Sequence, residues 1–209
     1  MKTPIHIDTW KRKDHFLFFR QFEEPFFGIV VEVDCTNAYR FCKQNNISFF
    51  LWYLHTSLVA ANETEPFRYR IEGDKVLLYD QVNASPTINR PDGTFGFSYF
   101  DYHRSFELFA TKARLEIEKV QHSTGLIPAV TGENVIHYSS VPWLKFTALS
   151  HARAFAFKDS IPKISFGKAD EINGKRTMPV SVHAHHGLMD GFHVGQFVER
   201  FQHLMNEQM

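Results

Sequence analysis

His183-Ala184-His185-His186-Gly187-Leu188-Met189-Asp190-Gly191 is the stretch on which the reading of this chain turns. Three imidazoles, a carboxylate and two glycines crowd together there. Met178 to His186 carries the pattern of a strand. Phe192 to Asn206 carries that of a helix, with Val194, Phe197, Val198, Phe201, Leu204 and Met205 on one stripe. Strand side chains alternate, so Val180, Val182, Ala184 and His186 share one face, and Ser181, His183 and His185 share the other. The adjacent pair His185-His186 therefore points two ways. His186 ends the apolar face, where desolvation keeps an imidazole neutral near pH 7 and able to take a proton.

Other readings of the same residues stand beside that one. His186 also fits a polar cap at a strand end. His183 and His185, two apart on one face, suit a metal shell completed by Asp190 or His193. The chain offers no second clear ligand cluster, so no metal is expected. Asp190 either orients His186, as in a hydrolase triad, or holds the turn through an arginine. Gly191 reads as a position that tolerates no Cβ. Ser139-Ser140, ahead of Pro142-Trp143, reads on its own as a structural pair. Neither a GxSxG elbow nor a GxxxxGK[ST] phosphate loop occurs.

The 209 residues suit a single domain spanning 1–209, or one such subunit of an oligomer. Lys plus Arg and Asp plus Glu stand at 23 each, which argues against nucleic acid as a partner. The 22 Phe exceed what a core of this size needs, and point to a ligand pocket or a subunit interface. Cys35 and Cys42 are read as reduced thiols of a cytoplasmic protein. The N-terminus lacks the apolar core of a signal peptide, and no window approaches a membrane span.

Strands are predicted over Phe27 to Asp34, Thr94 to Asp101, Val135 to Tyr138, Leu144 to Leu149, Ile161 to Phe166 and Met178 to His186. The Arg68-to-Tyr79 segment reads as a hairpin turning at Gly73-Asp74, and Asn173-Gly174 as a second turn. Helices are predicted from Thr36 to Gln44, Phe49 to Ala61 behind a Ser48 cap, and Ser105 to His122. Helices spaced among meandering strands imply an α+β fold with a largely antiparallel or mixed sheet.

His185-His186-x-x-x-Asp190-Gly191 resembles the HHxxxDG signature of the chloramphenicol acetyltransferase family. HxxxDG alone marks the wider superfamily of CoA-dependent acyltransferases. Three further motifs follow in family order. Trp10 to Phe16 resembles W-x-R-[KR]-[ED]-H-F, Phe67 to Gly73 resembles F-R-x-R-I-x-G, and Ser139 to Trp143 resembles S-x-x-P-W. The length suits one subunit of that family. Condensation domains and plant acyltransferases are about twice as long, and a dihydrolipoyl acyltransferase is expected to carry a lipoyl domain and linker.

The resemblance implies a two-layer α/β sandwich with a mixed sheet, assembled as a homotrimer with active sites at the subunit interfaces. It implies acetyl-CoA as co-substrate and a small-molecule alcohol as acceptor, with chloramphenicol and antibiotic resistance as the family precedent. His186 matches the catalytic base, Asp190 the structural aspartate and Arg12 its salt-bridge partner. Ser139, three residues before Pro142, matches the hydroxyl that bonds the tetrahedral oxyanion. Phe19, Glu23, Phe27 and Phe95 match the acceptor pocket, and Trp143, Ser165 and Lys168 the CoA side. Phe19 stands where a tyrosine is usual, Glu23 and Glu24 enter a region expected to be apolar, and Gly187-Leu188-Met189 replaces Ala-Val-Cys. These departures bear on the acceptor: another hydroxylated compound, or a trimeric binding protein without turnover, are the rival readings.

Overall fold

A computed structural model of the chain describes residues 1–126 and 132–207. In chain order it contains β1 (Lys2–Pro4), α1 (Lys13–Phe19), β2 (Phe26–Asp34), α2 (Thr36–Gln44), α3 (Phe49–Glu63), β3 (Tyr69–Glu72), β4 (Lys75–Tyr79), β5 (Asn83–Asn89) and β6 (Phe95–Phe97). These are followed by α4 (Phe106–Gln121), β7 (Val135–Ser140), β8 (Lys163–Phe166), β9 (Asp170–Ile172), β10 (Lys175–His185) and α5 (Gly191–Asn206). The main sheet runs β2-β10-β8-β7-β5-β6, with β9 also on β10. Its β8-β7-β5 ladders are parallel and the others antiparallel. A small sheet, β1-β4-β3, stands apart.

This is the expected α+β two-layer sandwich, helices on one face of a mixed sheet. Ser48 and Ser105 accept from Leu51 N and Leu108 N, and so start α3 and α4. Helix α3 is apolar nearly all round and buried, with Leu51, Leu54 and Leu58 inside. It packs with Phe197 and Phe201 of α5 over Val180, Val182, Ile164 and Ile136 of the sheet. Both cysteines are buried free thiols, and burial pushes each up to about 12, so neither is a nucleophile at neutral pH. Among the described residues no helix is long and apolar enough to cross a membrane.

Some elements differ from the sequence reading. Leu144 to Leu149 is not a strand. β7 and β8 already pair on both sides, and this segment runs irregularly with Leu144 exposed. The Thr94-to-Asp101 strand shortens to β6 plus a lone bridge at Phe100. β5 has no strand signal of its own, since Asn83-Ala84-Ser85-Pro86 reads as polar and Pro-broken, but neighbours on both sides hold it. Helix α1 was also unforeseen.

The face away from the helices is polar. One row across β7, β8, β10 and β2 is His137-Lys163-His183-Gly28; the next is Ser139-Ser165-Ser181-Val30. Residues 141–160 lie over part of this face, where the His151 ring meets His183 edge-on at 4.8 Å. His183 lies on Gly28 so closely that a Cβ there would sit 2.5 Å from its Nε2. Gly28→Ala should therefore cost about 1–3 kcal/mol, seen as a lower melting temperature with the secondary structure unchanged by circular dichroism.

Candidate active site

Strand β10 ends at His185, and the His186 N–H donates to Pro25 O at 2.8 Å, just past the end of the ladder. The two side chains diverge as alternation requires: His185 meets Phe26 edge-on at 5.8 Å, and His186 meets Phe27 at 4.7 Å. The His186 ring also stacks on Phe19 at 4.2 Å and 12°. Its Nδ1 lies 3.3 Å from Met189 O. A carbonyl can only accept, so Nδ1 is the donor, and the tautomer that fits this contact leaves the lone pair on Nε2.

Arg12 holds the turn below this imidazole. Nη1 donates to Asp190 Oδ2 at 2.7 Å and Nη2 to His186 O at 3.0 Å. One guanidinium thus ties the base's own backbone to the start of α5. Asp190 also caps that helix, accepting from Phe192 N at 3.0 Å. Burial pushes its carboxyl up, but Arg12 and His193 outweigh that and hold it down at about 2. Of the two roles open to Asp190 from sequence, the arginine-held turn is the one observed, and no hydrogen bond joins it to His186 among the described residues. Helix α1 supplies the spacing, with Arg12 at its start and Phe19 at its end.

Two further sequence readings change. Gly191 has room for a Cβ, whose nearest neighbour would be Ile29 Cδ1 at 3.8 Å. The crowded glycine is Gly187, where a Cβ would meet His185 at 3.0 Å and the Phe16 backbone at 3.3 Å. The strongly desolvated imidazole is His185, which is buried and driven down to about 4, chiefly by that burial and then by Arg153. His186 is half-buried.

Ser139 faces the polar side of the sheet, where its hydroxyl has no hydrogen-bond partner among the described residues. Ser140 faces the core, 3.1 Å from the Tyr53 hydroxyl. Ser139 pairs with Ser165 and Ser165 with Ser181, five residues before His186. Two ladder spacings and five strand residues separate Ser139 from His186 by on the order of 20 Å within one chain. Phe95, on β6, lies four strands from β10 with its ring on Phe97, away from Phe19 and Phe27. Trp143 and Lys168 are exposed beside one another, joined through Lys168 N to Leu144 O at 2.8 Å, while Ser165 is wholly buried with its hydroxyl unpaired among the described residues. Among the described residues no group of three His, Cys, Asp or Glu is arranged to hold a metal; His193, a suggested ligand, instead packs on Asp190 in the α5 cap.

A family model described as chloramphenicol acetyltransferase matches residues 2–202. This chain belongs to the chloramphenicol acetyltransferase family. It is an acyltransferase. It is 26% identical over 204 residues to a chloramphenicol acetyltransferase of Proteus mirabilis, covering 97% of this chain and 94% of that one. It is 26% identical over 209 residues to chloramphenicol acetyltransferase 3 of Escherichia coli, covering 99% and 98%. A solved chloramphenicol acetyltransferase superposes with a TM-score of 0.91 at 34% identity, over 98% of this chain and all (100%) of the other. A probable dihydrolipoamide acetyltransferase of Listeria monocytogenes shares the fold, with a TM-score of 0.67 at 16% identity, over 92% of this chain and 88% of that one.

What the motifs left unread in this family member is a group of side chains distant in sequence. Lys163, His151 and Arg153 surround His183 and Phe26 on the polar face, with His137 beside Lys163 on β7, Arg153 over the Phe26 ring at 3.7 Å and Lys163 over it at 4.5 Å. Burial drives His137 and His151 down to about 4, helped by Lys163 at the first and His183 at the second. No linear pattern marks such a cluster, although an Arg and a His near each other after a P-W turn were visible.

Two measurements follow. His137, His151 and His185 are neutral in the fold with values near 4, against 6.5 for a free imidazole. Between those values the unfolded chain takes up protons that the fold does not, so stability falls as pH falls from about 6.5 toward 4. Melting temperature should drop steadily from pH 7.5 to pH 5; a flat profile would show that these imidazoles are not desolvated. Arg12→Ala should cost about 1–2 kcal/mol in urea unfolding, reduced from the fully buried case because Asp190 is partly solvated.

Proposed function

We propose that the chain is an acetyl-CoA-dependent O-acetyltransferase of the chloramphenicol O-acetyltransferase type, working in the cytoplasm as a single 1–209 domain and without a metal. The observation that carries this reading is the His186 ring: Nδ1 turned to Met189 O, Nε2 open, and the backbone beneath it clasped by Arg12 and Asp190.

In this mechanism Nε2 removes the proton of the acceptor hydroxyl as its oxygen attacks the thioester carbonyl of acetyl-CoA. The Ser139 hydroxyl donates to the oxyanion of the tetrahedral intermediate, an effect worth about 3–4 kcal/mol in comparable sites. Collapse expels the CoA thiolate, which takes the proton back from His186. No acyl-enzyme forms. Holding both substrates together supplies much of the remaining acceleration.

Ser139 and His186 of one chain are too far apart to act on one carbonyl. The reading therefore requires His186 of one subunit to meet Ser139 of the next, as in a homotrimer with three interfacial sites. Trp143, Ser165 and Lys168 lie on the CoA side. Phe19 and Phe27 wall the acceptor pocket on the base's own side, with Glu23 near its mouth and Phe95 brought in by the adjoining subunit. Chloramphenicol, with resistance as the consequence, is the acceptor the family supports.

Release of CoA thiol from acetyl-CoA and chloramphenicol, followed with a thiol reagent, tests this reading. His186→Ala should reduce release at least ~10³-fold, with folding intact; full activity in that variant sinks the assignment. Ser139→Ala should lower kcat about 10²- to 10³-fold with KM little changed. If Ser140→Ala does so instead, the wrong serine has been chosen.

A further inference from the structure

A cavity of about 560 Å³ opens on the polar side of the sheet. Pro25 and His185 line it, whereas His186, whose N–H the Pro25 carbonyl holds, turns its ring to the other side of the strand against Phe19 and Phe27. Its walls also include Arg153 and Lys158, with the exposed rings of Phe155 and Phe157 as an apolar flank.

Three side chains give this cavity unused hydrogen-bond donors. His185 Nδ1 accepts from Gly187 N at 3.1 Å, so the hydrogen of the neutral ring is on Nε2, which donates. Arg153 gives Nη1 to Glu24 at 3.0 Å, while its Nε and Nη2 have no hydrogen-bond partner among the described residues. Lys158 is exposed and makes no ion pair among the described residues. On the acceptor side each Asp159 oxygen already accepts one bond, from Ile161 N at 2.7 Å and from Lys163 Nζ. Glu23 is the remaining carboxylate of the lining. The free edge of a guanidinium matches a carboxylate in a two-bond fork.

We propose that this cavity binds an organic carboxylic acid as its carboxylate, with Arg153 gripping the carboxylate and Lys158 and the His185 Nε2–H supporting it. The exposed rings of Phe155 and Phe157 flank the apolar part of such an acid. Arg153 and His185 act here as binding residues rather than catalytic ones.

Calorimetric titration of the full chain without acetyl-CoA tests this, using two acids and their uncharged alcohols: gluconate against sorbitol, and mandelate against phenylethanediol. At least one acid should bind tenfold or more tightly than its alcohol. Arg153→Leu should abolish that preference, Arg153→Lys should keep part of it, and Lys158→Ala should weaken acid binding about threefold, by loss of an exposed charge alone. Melting temperatures establish that each variant is folded; if Arg153→Leu is not, the Arg153→Lys and Lys158→Ala results decide. Equal binding of acids and alcohols, or unchanged acid binding in the folded Arg153 and Lys158 variants, overturns the proposal. Because binding is read without turnover, acids that bind to a chain releasing no CoA thiol with any acceptor would refute the acetyltransferase reading and leave the carboxylate site standing.

Discussion

One guanidinium joins parts of this chain that are nearly its whole length apart. Arg12 reaches from the start of α1 to Asp190 and to the carbonyl of His186. Strand β10, the His186 turn and the cap of α5 are thereby made one unit. The cost of burying most of the Arg12 side chain is offset because each partner is an oxygen already fixed by the backbone or by the helix cap. Losing either charge would leave the other short of a partner beside the site. Strand β10 itself is pinned on both sides, by β2 and β8. His186 is thus a side chain on a rigid frame, as directed proton transfer requires.

The two faces of β10 divide the labour. Toward the helices, Val180, Val182 and Ala184 bury completely, and the apolar effect supplies cohesion. Away from them, Ser181, His183 and His185 carry polar groups that survive burial because neighbouring residues and neutral imidazoles satisfy them. That polar face is where Ser139, Lys163 and Arg153 gather. The adjacent histidines show the division most clearly: His185 is dry and neutral, a fixed donor, whereas His186 lies between two phenyl rings with one nitrogen open.

Much of this was legible from order and spacing. The β-branched run Phe27-to-Asp34, the serine caps and the apolar stripe of the last helix are local signals, and each element formed close to its expected place. The divergence of His185 and His186 follows from strand alternation alone. Segments whose state depends on neighbours were not legible. Asn83 to Asn89 is a strand because strands flank it on both sides, and Leu144 to Leu149 is not one because no free edge remained for it. Gly187 rather than Gly191 proved crowded, since the crowding comes from the His185 ring and the Phe16 backbone, both set by packing.

The amino-acid order by itself determined the fold class, the family motifs, and the pairing of Arg12 with Asp190 in preference to a triad once those motifs were matched. Tertiary structure decided which imidazole is desolvated, which nitrogen of His186 is open, and which serine of the Ser139-Ser140 pair is free. It also decided that Ser139 and His186 of one chain stand far apart, and that Arg153, Lys158 and His185 share a cavity. The physical reason is range. Propensity, alternation and capping act over a few residues and are written in sequence. Desolvation, tautomer choice and charge pairing depend on whatever packing brings within a few ångströms, however distant it is along the chain.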